Sequence, residues 1–145
     1  MQLALELEIV AARIVGHRTM VLATEKSPFV EYEIEITTPK GLVVCWKRFR
    51  EFRILRHGLK RTSSGRLPSL PKRRWLCNLS TDTIAERKLM LNQFLSQLVA
   101  NEALQWGIQI DATLAVLKRR RLSVDRKLLD SFTSTTLASP HWDLA

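Results

Sequence analysis

Trp46-Lys47-Arg48-Phe49-Arg50-Glu51-Phe52 decides how this chain reads, because a strand pattern ends and a helix pattern begins inside it. Upstream, Leu42-Val43-Val44-Cys45-Trp46 is a short apolar run of strand-forming residues. Downstream, Phe49, Phe52, Leu55 and Leu59 keep one stripe at helical spacing while Arg50, Arg53, Arg56 and Lys60 take the other sides. Charge also concentrates here. From Trp46 to Trp75 eleven basic residues face the single acid Glu51, a local +10 in a chain whose total is +9. The remainder is close to neutral, so the basicity is a local patch of the kind that meets phosphate, whether on a lipid headgroup, a nucleic-acid backbone or a phosphorylated protein.

Working back from this stretch, Thr38-Pro39-Lys40-Gly41 has turn chemistry, and before it Val30, Tyr32, Ile34 and Ile36 alternate with Glu31, Glu33, Glu35 and Thr37. That is a half-buried strand. Leu3, Leu5, Leu7 and Ile9 alternate in the same way with Ala4, Glu6 and Glu8, a first strand that extends toward Val15 and ends at Gly16. Three strands with short connections predict an antiparallel meander whose open face helices must cover.

Working forward, the first helix starts at Arg48 or Phe49 and ends at Thr62-Ser63-Ser64-Gly65. Leu67-Pro68-Ser69-Leu70-Pro71 follows, where two fixed proline φ angles exclude helix and favour an extended segment. Thr83-Ile84-Ala85-Glu86 has the form of a capping box, so a second helix is expected from Thr83 to about Ala100-Asn101, with Ile84, Lys88, Leu91, Leu95 and Leu98 on one face. A shorter helical run is expected after Gly107, through Ile110, Leu114 and Leu117. The sheet then precedes all helices, and the class is α+β. Residues 1–118 form the expected domain. Residues 119–145 read as a tail, basic at Lys118-Arg119-Arg120-Arg121 and rich in Ser and Thr later, with one short helix at most and otherwise disorder.

At 145 residues, 46% of them apolar, the chain supports one core. No run reaches the roughly 18 apolar residues of a membrane span, and the acidic, alternating start differs from a signal peptide, so a cytoplasmic location is expected. Cys45 and Cys77 lack metal or disulfide spacing and read as free thiols. His17, His57 and His141 are scattered and no nucleophile motif or Gly-rich phosphate loop is present, so no catalytic residue is assigned and the chain does not read as an enzyme. Glu31, Glu33 and Glu35 share a strand face but splay apart along it, which suits a solvated face better than a metal site. No metal and no cofactor is expected.

For phosphate the inventory is rich. Arg48 stands where a strand becomes a helix, so a guanidinium and helix-start amides can converge on one anion, and Phe49 beside it offers either a ring face or a core side chain. Lys72, Arg73 and Arg74 directly follow the prolines, and Trp75-Leu76 comes next. An aromatic-apolar pair beside three cations has the composition of a loop that settles at headgroup depth, with packing into the core as the alternative.

Lys47-Arg48-Phe49-Arg50-Glu51-Phe52, Leu67-Pro68-Ser69-Leu70-Pro71-Lys72-Arg73, and Glu86-Arg87 ahead of Leu91-Asn92-Gln93-Phe94-Leu95 together resemble the three signature blocks of the phox homology (PX) domain, over roughly residues 3 to 117. The resemblance implies a three-stranded antiparallel β-meander packed against a helical subdomain, with a proline-rich loop between the first two helices. It implies a phosphoinositide-binding module, most often for phosphatidylinositol 3-phosphate, peripheral on endosomal membranes. By the same resemblance Arg48 takes the 3-phosphate, Phe49 lies under the inositol ring, Arg73 contacts the 1-phosphate with Lys72 or Arg74 as substitutes, Arg87 holds the 4- and 5-hydroxyls, and Trp75 and Leu76 dip into the bilayer. Two other readings stand beside it. One is a protein-interaction domain with a degenerate lipid pocket, recruiting a partner through the proline-rich loop or the tail. The other is nonspecific nucleic-acid binding through the patch, which ranks lower because the patch lacks an aromatic stacking platform.

Overall fold

The computed structural model describes residues 5–62, 65–70 and 79–120. Its elements are β1 (Leu5–Glu8), β2 (Ala11–Met20), β3 (Phe29–Thr38), β4 (Gly41–Arg48), α1 (Phe49–Thr62), α2 (Thr81–Ala100), β5 (Trp106–Gln109) and β6 (Leu114–Lys118). Strands β2, β3 and β4 form an antiparallel sheet in that order, which is the expected meander. The alternation of β3 becomes its two faces. Val30, Tyr32, Ile34 and Ile36 are buried. On the other face Glu31 pairs with Arg18 at 2.7 Å and Glu35 with Arg13 at 2.9 Å, cross-strand ladders that occupy these carboxylates. Among the described residues no side-chain cluster could hold a metal ion.

The β3–β4 turn sets the register of everything that follows. Thr38 pairs with Gly41 across Pro39 and Lys40, its hydroxyl donating to the Gly41 carbonyl at 2.8 Å and accepting from the Lys40 amide at 3.2 Å. Gly41 has φ of 125°, a conformation open to glycine and strained for a residue with a Cβ. Counting back from this turn brings Glu31 opposite Arg48.

Three expectations need correction. The first strand is two: the chain leaves β1 at Ile9, whose amide bonds Leu117, and enters β2 at Val10, whose amide bonds Thr37. Gly16 lies inside β2 at a register shift and does not end it. The run after Gly107 is a hairpin, β5 against β6, and β1 adds to β6 in parallel, so a second sheet follows the helices. The spacing of Ile110, Leu114 and Leu117 fits a helix, but Asp111 takes the amides of Thr113 and Leu114 and the Thr113 hydroxyl at 2.8–2.9 Å, which closes a turn there. Buried Trp106 and Ile108 then alternate with Gly107 and Gln109. The third correction is the start of α2, whose N-cap is Ser80, its hydroxyl accepting from the Thr83 amide at 3.2 Å. The expected cap Thr83 is itself buried within the first turn.

Both helices pack on the meander. α2 turns Ile84, Leu91, Phe94, Leu95 and Leu98 inward, with Arg87 rather than Lys88 on that face. Asn92 joins it to β2, its side chain accepting from the Ile14 amide at 2.7 Å beside the register shift. α1 buries Phe49, Phe52 and Leu59 as its stripe predicted. The class is therefore α+β, a three-stranded antiparallel sheet with two helices. Of the proline-rich connection, Arg66–Leu70 is described and runs without helix or strand, tied to α1 where the Arg56 Nε donates to the Pro68 carbonyl at 2.7 Å.

Candidate functional site

Arg48 is the last residue of β4 and the N-cap of α1. Glu51, at the third helical position, returns a carboxylate to the Arg48 amide at 3.3 Å, the reciprocal half of a capping box, and approaches Lys47 at 3.6 Å. The one acid of the basic window thus fixes the strand-to-helix corner. The corner in turn fixes where the Arg48 side chain begins.

That side chain leans on the connection between β2 and β3. Its Nη1 donates to Glu25 Oε1 at 3.0 Å, and its guanidinium lies 3.9 Å from the centroid of the Phe29 ring. Thr24, Glu25, Lys26, Phe29, Arg48 and Phe49 contribute to the wall of a cavity of about 430 Å³. Beside it, Arg50, Arg53, His57 and Lys60 line an open trough of about 730 Å³ between α1 and Ser69-Leu70.

Phe49 faces two ways. It contributes to the cavity wall and it is core, and the Arg87 guanidinium sits 4.1 Å from the centre of its ring. Arg87 is 7% exposed, an arginine carried into the interior by α2. Its charge also meets Tyr32, whose hydroxyl is fully buried and feels the Arg87 guanidinium directly. Burial raises the Tyr32 pKa, and the positive field of Arg87 pulls it the other way. The buried Cys45 thiol, at the foot of the same corner, is pushed up to about 11 by desolvation, with Lys47 lowering it and Glu51 raising it.

Of the residues expected from sequence, the structure thus brings Arg48 and Phe49 to one cavity and Arg87 onto Phe49; Arg87 is not part of that cavity wall. Lys72, Arg73, Arg74, Trp75 and Leu76 lie outside the described residues. Glu25, Phe29 and Tyr32 carry no site signal in the sequence. The β3–β4 register could have placed the start of β3 near Arg48, since the turn alone sets it, but nothing local joins Glu25 to an arginine 23 positions away.

A family model of the PX domain matches residues 38–106, from the end of β3 to the first residue of β5. This segment of the chain is therefore similar to the PX domain. The X-ray structure of a designed CISK-PX domain superposes with a TM-score of 0.55 at 23% identity, covering 63% of this chain and 85% of that one, and shows the fold. The mouse SNX19 PX domain with bound sulphate ion is 26% identical over 63% of this chain and 83% of that one, with a TM-score of 0.47. No curated protein matches the chain. The matched PX segment contains α1, α2, Arg48, Phe49 and Arg87. PX domains are in general phosphoinositide-binding modules that associate peripherally with membranes. Among the described residues no helix is long and apolar enough to cross a membrane.

Proposed function

We propose that this domain binds phosphatidylinositol 3-phosphate and brings its protein to endosomal membranes, binding without turnover. Arg48 takes the 3-phosphate, Phe49 supports the inositol ring, Arg87 holds the 4- and 5-hydroxyls, Arg73 takes the 1-phosphate with Lys72 and Arg74 beside it, and Trp75 and Leu76 enter the bilayer. The observation that carries the reading is the corner itself. An arginine at a helix N-cap sits in a cavity wall next to an aromatic ring whose face already supports a second, buried arginine. A guanidinium fork matches phosphate oxygens, and a half-enclosed site strengthens that contact relative to open water.

The test is co-sedimentation with phosphatidylcholine vesicles carrying each phosphoinositide in turn at physiological salt, with Arg48→Ala alongside. Selection of the 3-phosphate lipid by the wild type and a loss of about 2 kcal/mol or more in the variant is the expected result, as for a charged hydrogen-bond partner removed from an enclosed site. Binding that tracks total negative charge, with Arg48→Ala as tight as the wild type, would reject it.

A further inference from the structure

We infer that Glu25 is an internal competitor for the anion site: its carboxylate holds the guanidinium of Arg48 in place of a phosphate, and a headgroup binds by displacing it. The inference rests on the reading above, that Arg48 receives a phosphate. Glu25 Oε1 accepts from Arg48 Nη1 at 3.0 Å, and carboxylate and phosphate oxygens use the same donors of the guanidinium. The pair is partly enclosed, more so than the outermost ion pair among the described residues. Its side chains are 21% and 35% exposed, whereas those of the Arg119–Glu6 pair are 65% and 53% exposed. The Phe29 ring covers Arg48 at 3.9 Å, so water screens the contact less and the carboxylate holds its place more firmly.

The acids around this site divide by task. Glu31, opposite Arg48 in the register, is held by Arg18, and Glu51 caps α1. Among the described residues Glu25 is the one acid in the cavity wall, and it reaches the Arg48 guanidinium. A phosphate dianion placed beside an undisplaced carboxylate would meet like charge at short range, so the two anions exclude each other. Which partner moves follows from the backbone. Arg48 is fixed by the β4 ladder and the α1 cap, while Glu25 sits in the connection between strands, its amide bonded to the Leu22 carbonyl at 3.1 Å within a turn. The Glu25 side chain can therefore swing out while the sheet and the helix corner stay in place. The consequence is a threshold: an anion that binds Arg48 no better than a carboxylate does not occupy the site.

The experiment measures binding to phosphatidylcholine vesicles bearing phosphatidylinositol 3-phosphate for the wild type, Glu25→Gln, Arg48→Ala and the double variant. Glu8→Gln, which removes the same charge from β1 in the other sheet, is the control. Thermal melts confirm that each variant is folded. Glu25→Gln is expected to bind about fivefold more tightly, the scale of one partly exposed ion pair released. Glu8→Gln should stay within about twofold, the small effect expected of an exposed charge remote from the site. The gain should vanish when Arg48 is also alanine. Glu25→Gln binding equally or more weakly would overturn the inference, since Glu25 would then be neutral or would position Arg48. A gain that persists in the double variant, or is matched by Glu8→Gln, would overturn it as a net-charge effect. Arg48→Ala binding as well as the wild type would remove the Arg48 reading and this inference with it, an outcome distinct from a failed Glu25 effect.

Discussion

The guanidinium of Arg87 lies 4.1 Å from the centroid of the Phe49 ring, and both residues are buried, at 7% and 6% exposure. A cation this deep is costly to hold unless ring faces and polar neighbours compensate it, and Arg87 has Phe49 on one side and the Tyr32 hydroxyl nearby. The contact also links α2 to the first residue of α1, so Arg87 packs the helices together and, in the proposed reading, also holds the headgroup hydroxyls.

Arg87→Met should separate these two duties. The thioether side chain fills similar space over Phe49, and apolar replacement of a buried charge is often neutral, so stability should stay within about 1.5 kcal/mol of the wild type. Binding to vesicles bearing phosphatidylinositol 3-phosphate should fall about tenfold or more, the effect of one charge-assisted contact. Urea unfolding and co-sedimentation on the same samples give both numbers. A variant that binds normally would confine Arg87 to a packing role.

Cys45 predicts how stability responds to alkali. Its folded thiol is raised to about 11 by burial from an ordinary value of 9.0. The folded state therefore binds the proton more tightly, and the unfolded state ionises first. The contribution of Cys45 to stability is fully present below pH 9 and is lost as pH rises from there through about 11. Denaturant melts at pH 8 and pH 10.5 should show a decline that is smaller in Cys45→Ala. Tyr32, also raised, acts in the same direction, so Tyr32→Phe is the companion variant.

Gly107 marks where β5 and β6 pack most closely. A Cβ added there would lie 2.4 Å from Leu117 Cδ2 and 2.9 Å from the Val116 carbonyl oxygen. Leu117 can rotate away, but the carbonyl belongs to the β6 backbone and must shift. Gly107→Val should cost about 2 kcal/mol, within the range for overpacking, and lower the melting temperature. Because the hairpin belongs to the other sheet and does not line the cavity that holds Glu25 and Arg48, headgroup binding by the folded fraction should be unchanged. Unaltered stability would mean that β5 sits more loosely on β6.

Much of this molecule was legible in order along the chain. The alternation at Val30–Thr37, the turn at Thr38–Gly41 and the apolar stripe from Phe49 to Leu59 each carry their own periodicity, and local sterics and burial of one face are enough to read them. Arg48, Phe49 and Arg87 are likewise legible as motif residues in the sequence. The region after Gly107 misled because Ile110, Leu114 and Leu117 satisfy a helical period, and only the side-chain hydrogen bonds of Asp111 and the waiting edge of β1 decide for strands.

By itself, then, the sequence determined the local elements, the +10 window and the residues suited to phosphate, since periodicity, turn chemistry and charge are properties of neighbours. Tertiary structure alone decided who meets whom. That Glu25 closes on Arg48, that Phe29 covers it, and that Arg87 enters the core over Phe49 depend on pairings across 19 to 38 residues, whose loop-closure cost is met only once sheet and helices pack together.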